Sequence, residues 1–232
     1  MIKYLKEINS TSTYIKEHID ELNNFDIVSA EHQTSGRGRT GHEWEDTSNE
    51  NILMSILIKE PNIIDSYNVL SIAVGVIVLR YLTNYLPPKS ISLKWPNDVY
   101  VNDKKICGIL LEGKLPEYVI IGIGLNINQK QFSVANATSL SLETEYEFKI
   151  DNIRELFFDF LVKELTHFAN TKSKYIDVFN NYNYLKDKKV SFNKNDRKYE
   201  GIAGEINPDG SLSISVDGIS ENVFSDEVSL IR

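Results

Sequence analysis

The chain has 232 residues, 41% hydrophobic and 25% charged, a length and composition that fit one large globular domain with a small one beside it. Its 33 acidic side chains outnumber its 25 basic ones, and the formal charge of -8 repels a phosphate backbone, which argues against general nucleic-acid binding. A single cysteine excludes an intramolecular disulfide, and the opening MIKYLKEINS lacks the apolar core and cleavage site of a signal peptide, so a cytoplasmic location is expected.

In chain order, a short strand is expected near residues 2–5. Ser10 to Thr13 then supply capping hydroxyls, and Ile15, Ile19 and Leu22 recur at i, i+4 and i+7, which predicts an amphipathic helix. Residues 25–32 read as a strand ending in a glycine-punctuated stretch, 33–41, and the apolar run 52–58 reads as another. A helix is expected over 66–85, stopped by Pro87-Pro88. Its most apolar part, 69–82, is interrupted by Ser71, Gly75 and Arg80 and is shorter than the roughly 20 residues that span a bilayer, so it reads as a buried helix and no membrane partner is expected.

Strands are expected at 91–95, 105–112 and 118–128, the last carrying Gly122 and Gly124, where another backbone or a ligand approaches. Cys107, in an apolar run, reads as a small buried hydrophobe. Helices at 153–169 and 173–182 follow, and from about Lys188 short strands around turns at 207–210 and 217–218 predict a small β-barrel-like module, with 186–189 as the linker. His18, His32 and His167 have no partners at zinc-like spacing, and no protein-held metal is expected.

Two segments carry chemistry. The glycines of Gln33-Thr34-Ser35-Gly36-Arg37-Gly38-Arg39-Thr40-Gly41 formally match a dinucleotide fingerprint, but residues 42–51 are polar and aperiodic, so no helix opens there as that motif requires. The glycines therefore serve a loop. Arg37 and Arg39 add guanidinium forks suited to carboxylate and phosphate oxygens, although a solvated basic loop fits that segment equally well. Downstream, Lys94-Trp95-Pro96-Asn97-Asp98 precedes Lys104-Lys105-Ile106-Cys107-Gly108-Ile109-Leu110-Leu111-Glu112. Lys105 either stands at a pocket edge on a rigid strand or is a solvated lysine beside an Asn102-Asp103 hairpin turn.

Together with Trp44 and Gly122-Ile-Gly-Leu-Asn126, these segments resemble, in order and approximate spacing, the catalytic domain of biotin-protein ligases over nearly the whole chain. The C-terminal module from about Lys188, ending Asp226-Glu227-Val228-Ser229-Leu230, is similar to the family's SH3-like domain. The resemblance implies an α+β fold: a mixed sheet with packed helices as the catalytic domain, residues 1–186, and an SH3-like barrel, residues 187–232. It also implies ATP and biotin as substrates, magnesium with ATP, and a biotin carboxyl carrier protein whose lysine is the acceptor. Lys105 and Arg39 are the implied catalytic residues.

Biotin would meet Ser10, Thr11, Ser12, Gln33, Arg37, Arg39 and Lys105, beside the backbone of Gly36, Gly38, Gly108, Gly122 and Gly124. ATP would meet Arg37, Arg39 and Lys105 as well, with Trp44, Asn126 and His42 on the adenylate side and Asn97 and Asp98 by the nucleotide and its magnesium. The chemistry agrees: joining a carboxylate to an α-phosphate brings two anions together, so cations must neutralise both. The mixed anhydride must also be shielded from water, and residues 37–51 are the expected lid.

The chain departs from the family pattern at Ser12, where asparagine is usual, and at Thr40 and His42, which replace basic residues. Arg232 falls one place later than the family's terminal arginine and is given no ATP contact. No room precedes Ile2 for a helix-turn-helix, so the short form without a DNA-binding domain is expected. The readings left open are a lipoate or octanoate ligase or transferase and a non-catalytic module that holds biotin or a nucleotide. Oligomeric state is open too, with a homodimer as one outcome.

Overall fold

A computed structural model describes residues 1–47, 49–194, 197–224 and 228–231. Asp226, Glu227 and Arg232 lie outside the described residues.

The larger sheet has seven strands: β1 (Ile2–Ile8), β2 (Ile27–Gln33), β3 (Asn51–Ile58), β4 (Ile91–Lys94), β5 (Asp98–Val101), β6 (Lys104–Lys114) and β7 (Tyr118–Asn126). Their order is β1-β2-β3-β7-β6-β5-β4. β1 and β2 run parallel and the other neighbours antiparallel, so the sheet is mixed. A crossover through α1 (Thr11–Glu17) supplies the connection that parallel strands need.

All eight residues of β3 are buried, because both faces of the sheet centre are covered. Ile52, Met54, Ile56 and Ile58 join the main core with α3 (Tyr67–Leu82), α5 (Ile150–Phe168) and α6 (Lys172–Asn181). α3 buries apolar side chains around its whole circumference, as a helix sandwiched between a sheet and other helices does. On the opposite face Leu57, Val28 and Ile120 pack with Ile15 and Leu22 beside α1. Further along that face the strands carry Ser55, Gly122 and Gly124 rather than large side chains, which leaves a recess.

Several elements differ from the sequence expectation. α1 ends at Glu17 instead of reaching Leu22, where the His18 ring stacks on Tyr14 and its Nδ1 lies 2.9 Å from Tyr14 O. α3 ends at Leu82, before the prolines, where Thr83 and Asn84 side chains donate to the Arg80 and Tyr81 carbonyls. The short helices α2 (Pro61–Ile64) and α4 (Leu140–Thr144) and the strand β5 have too few residues to show a period. β5 and β6 form a hairpin whose turn residues Asn102 and Asp103 have φ of 48° and 64°, the left-handed pair of a two-residue turn.

The smaller sheet comprises β8 (Lys189–Lys194), β9 (Arg197–Ile206), β10 (Leu212–Val216), β11 (Ile219–Val223) and β12 (Val228–Leu230). It is antiparallel, in the order β11-β10-β9-β8-β12. Its inward residues, among them Val190, Phe192, Ile206 and Leu212, belong to the same apolar cluster as the larger sheet's core. Buried Trp95 also donates from Nε1 to Gly210 O at 3.0 Å, which ties the two sheets together.

Candidate active site

The floor of the recess is a row of residues paired across three strands: Asp98 opposite Gly108, and Gly108 opposite Gly124. The Trp44 indole lies over both glycines. A Cβ on Gly108 would sit 2.6 Å from Trp44 Cζ3, and one on Gly124 2.6 Å from Cζ2, so no side chain fits beneath the ring. Lys105 stands three positions before Gly108 on β6, and simple alternation would turn the two to opposite faces. A register shift between Val99 and Tyr100 instead pairs Lys105 with Tyr100 and re-aims it to the site face. Its Nζ forms an ion pair with Asp98 Oδ1 at 2.7 Å and lies 5.5 Å from the centre of the Trp44 ring. Its backbone is fixed as well, through Asn136 O at 2.8 Å and Thr138 N at 2.9 Å.

Above the floor is a cavity of about 260 Å³. Of the residues singled out in the sequence, Ser10, Thr11, Ser12, Gln33, Arg37, Gly38, Arg39, His42, Trp44, Asn97, Asp98, Lys105, Gly108, Gly122 and Gly124 line it. Gly36 and Asn126 do not. Gly36 accepts from Trp44 N and so holds the loop, and buried Asn126 lines an adjoining groove.

One end of the cavity is a cluster of neutral hydrogen-bonding groups. Ser10 Oγ lies 3.1 Å from Ser12 Oγ, Thr11 Oγ1 lies 2.8 Å from Ser55 Oγ, and Gln33 Oε1 accepts from Thr11 N at 2.8 Å. The Ser10 side chain makes no cap bond to α1, so these hydroxyls serve the cavity more than the helix. The other end is cationic, with Lys105 and Arg39, whose Nη1 is 3.4 Å from Asn97 Oδ1. An acid with a polar head, a carboxylate at its far end and a phosphate beyond would match that order.

The loop over the cavity is tied down at three places. Arg37 Nη2 contacts Ser12 Oγ at 3.1 Å and Glu112 Oε2 at 3.0 Å. Asp46 accepts from Gln33 N and faces His32 Nδ1 at 3.1 Å, and burial pushes its carboxyl above the usual range. Glu45 accepts from the Ser133 amide at 3.1 Å and from its hydroxyl, which links the loop to a second one after β7. That second loop borders a groove of about 710 Å³ lined by Trp44, Lys105, Asn126 and Phe132. Trp44 Nε1 and Asn126 Oδ1 are buried without a hydrogen-bond partner among the described residues. Buried orphans of this kind are costly unless a ligand or water completes them.

Ser55, Glu112, Lys94, Asp46 and Phe132 belong to the site without having been assigned a role from sequence. Ser55 and Glu112 carried a usable signal: each is a polar residue within or at the end of an apolar strand. Cys107 is fully buried and burial pushes its thiol up, which makes it a packing residue.

The model of the Biotin/lipoate A/B protein ligase family matches residues 4–126. Over 111 residues, 48% of this chain, the sequence is 33% identical to the bifunctional ligase/repressor BirA of Escherichia coli, covering 34% of that protein. It is 39% identical over 100 residues, 42% of this chain, to the biotin--[acetyl-CoA-carboxylase] ligase of Mycobacterium tuberculosis, covering 37% of it. The matches thus span about a third of these relatives' length. In structure, the chain superposes on the Aquifex aeolicus biotin protein ligase solved with biotin and ATP, at a TM-score of 0.86 and 26% identity. That superposition covers 100% of this chain and 98% of the other.

Proposed function

The chain belongs to the Biotin/lipoate A/B protein ligase family, and from that membership we propose that it is an ATP-dependent, AMP-forming biotin ligase acting on a biotin carboxyl carrier protein. The observation that carries the proposal is the order of groups along one cavity: a hydroxyl and amide cluster, a glycine floor under Trp44, then Lys105 beside Asp98 and Arg39. The ureido ring of biotin suits the first, its thiophane and chain the Trp44 ring that covers the second, and a carboxylate meeting a phosphate the third. The Aquifex aeolicus relative, solved with biotin and ATP, supports both ligands.

In the first step the biotin carboxylate attacks the α-phosphorus and pyrophosphate leaves. Lys105 stands where that charge concentrates, preorganised by its pair with Asp98 and by its fixed backbone, with Arg39 as the second cation. In the second step a neutral acceptor lysine attacks the acyl carbon, AMP leaves, and the amine gives up a proton. The loop anchored by Asp46 and Glu45 keeps water from the anhydride in the meantime. In this reading the nucleotide base takes the groove beside Phe132, where Trp44 Nε1 and Asn126 Oδ1 await partners.

Among the described residues no group of three His, Cys, Asp or Glu side chains could hold a metal ion. The donors present, Asp98 and Asn97, fit a magnesium ion that arrives on the nucleotide phosphates and keeps most of its waters. Bound there, it would offset phosphate charge and assist the departure of pyrophosphate. We read residues 1–186 as the catalytic domain and 187–232 as an SH3-like barrel, a reading supported by the separate antiparallel sheet that begins at Lys189. No helix among the described residues is long and apolar enough to cross a membrane. The reading places the activity in the cytoplasm, with the carrier protein as partner.

The test is exchange of labelled pyrophosphate into ATP, followed by transfer to a carrier domain, with biotin and lipoate compared. Exchange that depends on biotin and labelling of the carrier are expected. No exchange with either acid would leave only a binding module, and exchange with lipoate alone would change the substrate.

A further inference from the structure

Glu112 is a carboxylate beside the cavity, in a neighbouring hollow that shares Arg37 and Leu110 with it, on the same face of β6 as Gly108 and Leu110. Its two oxygens are taken by different cations: Oε1 by Lys16 of α1 at 2.7 Å and Oε2 by Arg37 of the overlying loop at 3.0 Å. The second contact uses Arg37 Nη2, the nitrogen that also donates to Ser12 Oγ. No other guanidinium nitrogen of Arg37 makes a side-chain hydrogen bond among the described residues, and the residue lines the cavity.

The charge count matters. One carboxylate shared by two cations leaves the group with a net positive charge, so Glu112 orders Arg37 without cancelling it. An arginine as exposed as this one, with 40% of its side chain accessible, would otherwise lose rotamer freedom on meeting a ligand.

We infer that Glu112 is a positioning residue: with Ser12 it holds one nitrogen of Arg37, so that the rest of the fork is preset toward the acid substrate in the cavity. The inference rests on the proposed reading that this cavity takes biotin.

Holding a rotamer-rich side chain in place before binding is worth about 3- to 10-fold in affinity. Biotin-dependent pyrophosphate exchange, measured against biotin concentration, reads it directly. Glu112→Ala is expected to raise KM for biotin about 3- to 10-fold, with kcat changed less than about two-fold. Glu112→Gln, which keeps an acceptor but no charge, should fall between Ala and the parent, and it carries the same comparison if Glu112→Ala fails to fold. The decisive comparison is a double-mutant cycle. Arg37→Ala should raise KM by itself, and Glu112→Ala added to it should raise KM no further, because Glu112 works through Arg37.

Lys16→Ala removes the other half of the carboxylate's contacts and is expected to leave KM near the parent value. If the Glu112 and Arg37 effects multiply, or if Lys16→Ala reproduces the Glu112→Ala shift, Glu112 is a staple between α1 and β6 and the inference fails. Absence of biotin-dependent exchange in the parent protein would instead overturn the ligase reading, and the inference with it.

Discussion

Lys105 and Gly108, three positions apart on one strand, face the same side of the sheet. The register shift opposite Val99 and Tyr100 makes this possible, and it puts the ammonium within 2.7 Å of Asp98, the cross-strand partner of Gly108. The reacting end of the cavity depends on that irregularity.

Lys105→Ala is therefore expected to cut adenylation by about 10²- to 10³-fold, the usual cost of losing one preorganised donor. Because Asp98 is then left without its counter-charge, stability should fall slightly while the far-ultraviolet circular dichroism stays unchanged. Pyrophosphate exchange measures the first effect, and exchange at the parent rate would remove Lys105 from the mechanism.

Gly124→Ala places a methyl group under the Trp44 ring, whose Cζ2 would lie 2.6 Å from it. The ring must lift, at a cost of about 1–3 kcal/mol for overpacking. Trp95 is 2% exposed and held by its bond to Gly210 O, and the atoms nearest the added methyl all belong to Trp44, so the tryptophan emission change reports mainly Trp44. A red-shifted spectrum and weakened biotin binding are expected together; an unchanged spectrum with full binding would mean that the ring is not seated on the glycine floor.

Glu45 joins the loop over the cavity to Ser133 of the second loop. Glu45→Ala should speed proteolysis of residues 37–51 in the empty protein, and biotin with ATP should restore protection. Equal cleavage of parent and variant, with and without ligands, would show that this contact does not control the loop.

Burial raises the Glu112 carboxyl, but hydrogen bonds from Lys16 and Ser12 and the Arg37 charge outweigh it, so the group sits below its ordinary value of 4.5. A carboxyl lowered in the folded state stabilises fully above its unfolded value and loses that contribution as pH falls through the folded one. The melting-temperature gap between the parent and Glu112→Gln should thus be constant from neutral pH to about 4.5 and shrink below it. A gap that widens on acidification would contradict the ion-pair account.

Gly210 has φ of +87°, and a Cβ there would come within 3.0 Å of the Asn68 backbone. Gly210→Ala should cost about 1–3 kcal/mol by thermal unfolding, from the left-handed conformation plus the close approach. Gly218, with φ of +83° but open space around it, should cost less when changed to alanine. Equal losses would show that the close approach to Asn68 adds nothing.

Much of the fold was legible in the sequence, because burial imposes periods. The apolar runs of β3, β6 and β7, the helices α3, α5 and α6, and the turns at Gly210 and Gly218 stand at or near their expected positions. The glycine-arginine loop, Lys105 and the paired glycines could likewise be named, since each is a residue type out of place for its surroundings. Helix ends were not legible, because local side-chain bonds at His18, Thr83 and Asn84 stop α1 and α3 rather than any break in hydrophobic period.

The contacts between distant segments were settled by tertiary structure alone. Strict alternation turns Lys105 away from Gly108, and only the pairing with β5 brings it back. Glu112 looked like the end of an apolar strand until α1 and the loop delivered Lys16 and Arg37 to it from 96 and 75 residues away. Sequence determines which side chains are available and which face they prefer; the register between strands, set by the whole sheet, determines which of them meet.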